Sequence, residues 1–153
     1  MYCLEQTRTV LLRATGDSWP EYHRFLLPLG RAMAKCILIA DDNDIVRTLI
    51  RFFLESHQGF EVCGEAADGV DAIEKAKKLK PDLIVLDLLM PRMNGVEAAS
   101  VLKGVMPGVP IVLFTMYEEA LGNALTTAVG VSAVLSKPDG LGRLVECVQG
   151  LLG

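Results

Sequence analysis

Nucleotide-binding signatures are missing from this sequence: neither a G-x-G-x-x-G pattern nor a P-loop follows its first apolar run. Their absence removes the usual glycine-lined phosphate cradles. Also missing is any apolar stretch near the roughly 20 residues that a membrane-spanning helix needs. "FLLPLG" near the start is short and broken by Pro28, so it does not read as a secretory leader. Basic charge is sparse as well. Lysine and arginine total 15 against 19 acids, the net charge is -4, and no long basic stripe occurs. That argues against direct contact with nucleic acid. The four cysteines, Cys3, Cys36, Cys63 and Cys147, form no C-x-x-C pair, and neither His23 nor His57 keeps ligand spacing to them. Zinc is therefore disfavoured. Cys36 and Cys63 lie inside apolar runs, so the expectation is reduced, buried thiols in a cytoplasmic protein.

Aromatic residues are few, at 6%, yet 51% of the 153 residues are hydrophobic. Such a chain is globular rather than disordered, and it is long enough for one domain to bury a core without staples. Residues 1–32 differ from the rest. They hold the only tryptophan, Trp19, and show no sustained period. "MAKCILIADDN" then begins at Met33 like the start of a compact domain. The expected division is an N-terminal extension, 1–32, disordered or translated from a misplaced start, and a domain over 33–153. The alternative for the first segment is a short docking helix around Glu21 to Ala34.

From Cys36 the chain alternates. "CILIAD", "FEVCGEA", "DLIVLD", "PIVLFT" and "SAVLSK" read as strands. Between and after them, "NDIVRTLIRFFLESH", "GVDAIEKAKKL", "NGVEAASVLKGVM", "YEEALGNALTTAV" and "GLGRLVECVQGLL" read as helices. In the first helix Ile45, Leu49, Phe52 and Phe53 recur at helical spacing, and Asn43 or Asp44 stands as its N-cap. Gly122 weakens the fourth. This alternation predicts an α/β fold, a doubly wound parallel sheet of five strands. In such sheets ligands sit at the carboxyl ends of the strands.

The strand ends then become informative together. "DLIVLDLLMPRMNG", residues 82–95, is a continuously apolar strand that delivers one carboxylate, Asp87. Burying an unpaired carboxylate is costly. The first strand ends in Asp41 and Asp42, the fourth in Thr115 and the fifth in Lys137 and Pro138. Each residue alone has an ordinary explanation: a helix cap, a structural hydroxyl, a solvated lysine. Jointly they place three carboxylates, a hydroxyl and an ammonium on one sheet edge. Crowded carboxylates call for a cation, and a hard divalent ion such as Mg²⁺ takes oxygen ligands while keeping several waters. Asp42 and Asp87 could bind it directly and Asp41 through water. Asp87 could then attack phosphorus to form an acyl phosphate, with Lys137 neutralising the phosphoryl oxygens and Thr115 hydrogen-bonding one of them.

On these residues the segment from about 35 to 152 resembles the receiver domain of two-component response regulators, CheY-like and closest in "PIVLFTMYEE" to the NarL/FixJ receivers that usually precede a helix-turn-helix domain. The resemblance implies a flavodoxin-like sheet of strand order 2-1-3-4-5 and Asp87 as phosphoacceptor. It implies Mg²⁺ held by Asp41, Asp42, Asp87 and the backbone carbonyl of Leu89. It further implies a histidine kinase or phosphotransfer protein as donor, a downstream protein as target, no membrane partner, and a cis bond between Lys137 and Pro138. One position departs from the pattern. Val134 stands where receivers carry Tyr or Phe, and "VGVSAV" replaces "AGAxGY". A rotating aromatic switch is then not expected; coupling should run from Thr115 through Met116 and Tyr117 into the fourth helix.

Since the chain stops after the fifth predicted helix, the expectation is a single-domain receiver or a fragment of a longer DNA-binding regulator, and not an enzyme. An aspartate-nucleophile phosphatase is the rival. It would need a second acid where this chain has Leu89.

Overall fold

The computed structural model describes residues 33–117 and 127–153. The sequence divides into units Met1–Ala32 and Met33–Gly153, and the described residues belong to the second. The expectations for residues 1–32, and for most of the fourth predicted helix, lie outside the described residues.

Five parallel strands form one sheet in the order β2-β1-β3-β4-β5. They are β1 (Lys35–Ala40), β2 (Phe60–Ala66), β3 (Leu83–Leu86), β4 (Ile111–Thr115) and β5 (Ala133–Ser136). Among the described residues, the helices seen over their full length are α1 (Asp44–Glu55), α2 (Gly69–Leu79), α3 (Gly95–Val105) and α4 (Leu141–Leu152), the last being the fifth predicted from sequence. Successive strand residues point to opposite faces, and both faces are covered. Leu38, Ala40, Ile84, Leu86, Ile111 and Leu113 pack with Ala72, Ala76, Ala98, Ala99 and Leu102 of α2 and α3. Ile37, Ile39, Leu83, Val85, Val112 and Phe114 pack with Ile50 and Leu54 of α1 and Leu144, Val145 and Val148 of α4. Hence the central strands read as unbroken apolar runs.

Short polar residues start the helices. Asn43 accepts from the amides of Ile45 and Val46. Asp68 caps α2 through the Asp71 amide, and Asn94 forms a capping box with Glu97 on α3.

One pattern read from sequence gains its orientation, and two expectations are corrected. First, the apolar stripe singled out on α1 is its outer face. Ile45 is 67% exposed and Phe52 68%, while Ile50 and Leu54 are buried. Two apolar stripes lie side by side on this helix, and the sheet covers the 46/50/54 one. Second, Cys36 and Cys63 are joined in a disulfide, not held as free thiols. The register of β1 against β2 shifts between Ile37 and Leu38, whose partners are Val62 and Gly64. Cys63 is thus the extra residue of a bulge, and its Cα lies 5.3 Å from that of Cys36, within disulfide reach. Third, Lys137–Pro138 is trans, since no described peptide bond is cis. Lys137–Asp139 form a 3₁₀ turn with Pro138 near its start, where a fixed φ fits and a missing N–H costs nothing. Gly140 closes this turn at φ 89°, its amide donating to the Lys137 carbonyl.

Candidate metal and phosphoryl site

All of the strand ends named from sequence open on one edge of the sheet. The Asp87 amide donates to the Ala40 carbonyl at 2.8 Å and the Asp41 amide to that of Ala66 at 3.1 Å, so β3, β1 and β2 end in register. Thr115 pairs with Ser136 between β4 and β5, which puts Lys137 one residue further along. A ligand atom from each of Asp41, Asp42 and Asp87 lies within 4.8 Å of the others. Asp41 and Asp87 are buried and Asp42 is exposed.

Lys137 is the cation of this group. Its Nζ donates to Asp41 Oδ2 at 2.6 Å and lies 3.1 Å from Asp87 Oδ2. The other Asp41 oxygen accepts from the Asn43 amide at 2.8 Å, and Asp87 Oδ1 accepts from the Leu88 amide at 2.7 Å. Burial raises the Asp87 pKa above the ordinary carboxylate value; Asp41 adds to this, and Lys137 opposes it without prevailing. For Lys137, burial pulls the pKa down, but the hydrogen bond to Asp41 and the charge of Asp87 outweigh it and the pKa is raised. One ammonium against three carboxylates leaves a negative excess, so the donor set is oxygen-only, compact and short of positive charge. Those features fit Mg²⁺.

Thr115 is fully buried, and its hydroxyl oxygen accepts from the Tyr117 amide at 3.2 Å. Leu89 has a half-exposed side chain that cannot ligate, leaving only its carbonyl. Val134 is partly buried and packs against the α2/α3 side of the core. Met116 and Tyr117 are exposed, and the helix proposed to receive their motion falls largely outside the described residues.

Sequence reasoning passed over two supports. Arg47 of α1 donates from Nη1 to the Asp41 carbonyl at 2.6 Å and from Nε to Glu65 at 3.2 Å, bracing the acidic loop. Gly95 starts α3 so close beneath the site that a Cβ there would lie 2.0 Å from the Asp87 carbonyl oxygen. The glycine after the Asn94 cap was visible in sequence, but the backbone it touches was not.

Residues 37–149 match the family model of the response regulator receiver domain. The chain belongs to this family. The response regulator protein VraR of Staphylococcus epidermidis is 38% identical over 117 residues, which are 76% of this chain and 56% of that protein. The response regulator GacA of Pseudomonas viridiflava is 33% identical over 74% of this chain and 53% of its own length. The chain thus spans about half the length of the curated relatives it matches. Among solved structures, a LuxR-family two-component response regulator from Aurantimonas superimposes with a TM-score of 0.71 at 30% identity, covering 78% of this chain and 85% of that one. The response regulator domain of Thermotoga maritima CheB gives 0.72 at 25% identity, with 78% and 96% covered. The flavodoxin-like strand order predicted from sequence is the one observed.

Receiver domains of two-component signalling are phosphorylated and bind Mg²⁺ in an acidic pocket, and this receiver holds an aspartate cluster. No helix of the described residues is long and apolar enough to cross a membrane.

Proposed function

We propose that Asp87 accepts a phosphoryl group from the phosphohistidine of a sensor kinase or phosphotransfer protein, and that the domain then signals through protein contacts. The observation that carries this is a buried carboxylate at the end of β3 whose close cation among the described residues, Lys137, is shared with Asp41. A carboxylate oxygen of Asp87 bonds to phosphorus as the P–N bond of the donor breaks, and the bonding pair leaves with the histidine nitrogen, which takes up a proton. Lys137 already lies beside the attacking group and can follow the charge onto the phosphoryl oxygens. The Thr115 hydroxyl accepts from Tyr117 and keeps its own proton to donate to one of those oxygens. Asp42, Asp87 and the Leu89 carbonyl would hold Mg²⁺, with Asp41 acting through water; bound there, it would offset the charge of the approaching phosphoryl group.

The partner reading has its own support. Beside the acidic loop, α1 presents Ile45, Leu49 and Phe52 to solvent, 67%, 45% and 68% exposed. An apolar stripe at this spacing suits a facing helix of a phosphodonor. Leu89 supplies no second acid to activate water, so Asp87 should be phosphorylated once rather than turned over as in a phosphatase. We place the reaction in the cytoplasm. The longer relatives favour a receiver that works within a larger regulator over a stand-alone one, with nucleic acid contacted by another part of such a protein.

Intact mass after incubation with acetyl phosphate tests the chemistry. One phosphoryl adduct should form with Mg²⁺ and be absent after chelation or in Asp87→Asn. An adduct that persists in Asp87→Asn contradicts the assignment, and steady release of phosphate over many turnovers would instead mark a phosphatase.

A further inference from the structure

We infer that Arg92 is a positioning residue: its clamp on Asp68 holds the loop after β3 in the shape that presents the Leu89 carbonyl to the metal site. This rests on the proposed Mg²⁺ ligation and extends it to groups outside the strand ends. The loop runs from Leu88 to Asn94 and is closed at its base by the Gly95 amide donating to the Leu88 carbonyl at 2.8 Å. Its tip reaches a different element. The Gly69 amide donates to the Met93 carbonyl at 3.1 Å, with Gly69 so close that a Cβ would meet that oxygen at 2.6 Å. Beside this contact, Arg92 Nε donates to Asp68 Oδ2 at 2.8 Å and Nη2 donates to the same oxygen. Asp68 is only 7% exposed, and its other oxygen caps α2 by accepting from the Asp71 amide at 2.9 Å. The clamp thus ties the loop to the start of a helix anchored in the core.

The backbone shows that this side chain is not incidental. Arg92 sits at φ 63°, and the Met93 amide donates to the Pro91 carbonyl at 2.7 Å, so the chain turns tightly on an arginine in the left-handed region. Glycine would occupy that conformation without the steric penalty. Nor does packing explain it, because the Arg92 side chain is 60% exposed. Its distinguishing contact is the two-pronged bond to a buried carboxylate, a geometry that lysine cannot reproduce. Changing residues that orient metal ligands from outside the coordination sphere typically weakens metal binding by about 10–100-fold.

The test uses the full chain with Arg92→Gly, Asp68→Asn and the double variant. Arg92→Gly relieves the strained turn, and Asp68→Asn retains a capping oxygen, so both should fold. Mg²⁺ affinity, followed by NMR titration, should fall about tenfold in either single variant, and no further in the double, as for one coupled pair. Without metal, amide exchange across 88–94 should quicken while that of β1 and β3 is unchanged. Unaltered Mg²⁺ affinity and loop exchange in Arg92→Gly would overturn the inference, as would additive losses in the double variant. If wild type binds Mg²⁺ but takes no phosphoryl group, the functional reading fails while these titrations still decide the role of Arg92.

Discussion

Burial of Asp87 is offset only in part by Lys137, and this has a measurable consequence. Its native pKa lies above the ordinary value because of burial first and Asp41 second. The folded state therefore holds its proton to higher pH than the unfolded chain does. Stability from this group is complete below about pH 4 and declines as pH rises through the native pKa. Asp87→Asn should remove that decline and raise the thermal midpoint at neutral pH without Mg²⁺, by about 2–4 °C if the relief is ~1 kcal/mol. Added Mg²⁺ should stabilise wild type more than the variant. A lower midpoint for Asp87→Asn in metal-free buffer would mean that the carboxylate is stabilising where it stands. Gly95 offers a second test at this scale. An added methyl meets backbone at 2.0 Å, with no flexible side chain to give way. Gly95→Ala should cost on the order of 3 kcal/mol in denaturant unfolding, and a loss under ~0.5 kcal/mol would show that α3 can shift. The acids, Thr115 and Lys137 were legible in sequence because their chemistry identifies them. Arg47, Arg92 and Gly95 were not, since each acts on backbone or on a carboxylate distant in sequence.

At the scale of elements, the period of α1 was legible but its orientation was not. Apolar residues fill two adjacent stripes, and only the sheet decides that Ile50 and Leu54 go inside. The outer stripe yields a prediction that separates docking from chemistry. Phe52→Lys should change stability by no more than about 0.5 kcal/mol, as surface substitutions do, and leave phosphorylation by acetyl phosphate intact. Transfer from a cognate kinase should slow. Equal slowing with both donors would refute a docking role. The strand pair β1 and β2 carries the other surprise. The Cys63 bulge could not be seen in sequence, because nothing in "FEVCGEA" marks one residue as extra. Closing a loop of 27 residues is worth about 3.5 kcal/mol in the chain-entropy model, as an upper figure. Reduction should therefore lower the denaturation midpoint, and an unchanged midpoint would mean that the crosslink contributes nothing.

For the whole molecule, the unit Met33–Gly153 contains every strand of the sheet and both core clusters. We expect a chain lacking residues 1–32 to fold and to be phosphorylated like the full one. A drop of more than about 5 °C in midpoint, on the order of 1 kcal/mol or more, would contradict this. The fold was legible because unbroken apolar runs such as "LIVL" require cover on both faces, which alternating helices supply. The Lys137–Pro138 geometry was less so. It came from resemblance alone, and the bond is trans, within a local 3₁₀ turn closed by Gly140.

The central claim is that phosphoryl transfer ends on Asp87, and borohydride trapping tests it most directly. An acyl phosphate on aspartate is reduced to homoserine, whereas a phosphorylated serine, threonine or histidine is not. After phosphorylation with Mg²⁺ and reduction, peptide mass mapping should find homoserine at position 87, and only after phosphorylation. Homoserine at position 41 or 42, or a phosphoryl group that resists reduction elsewhere in the chain, would contradict the account.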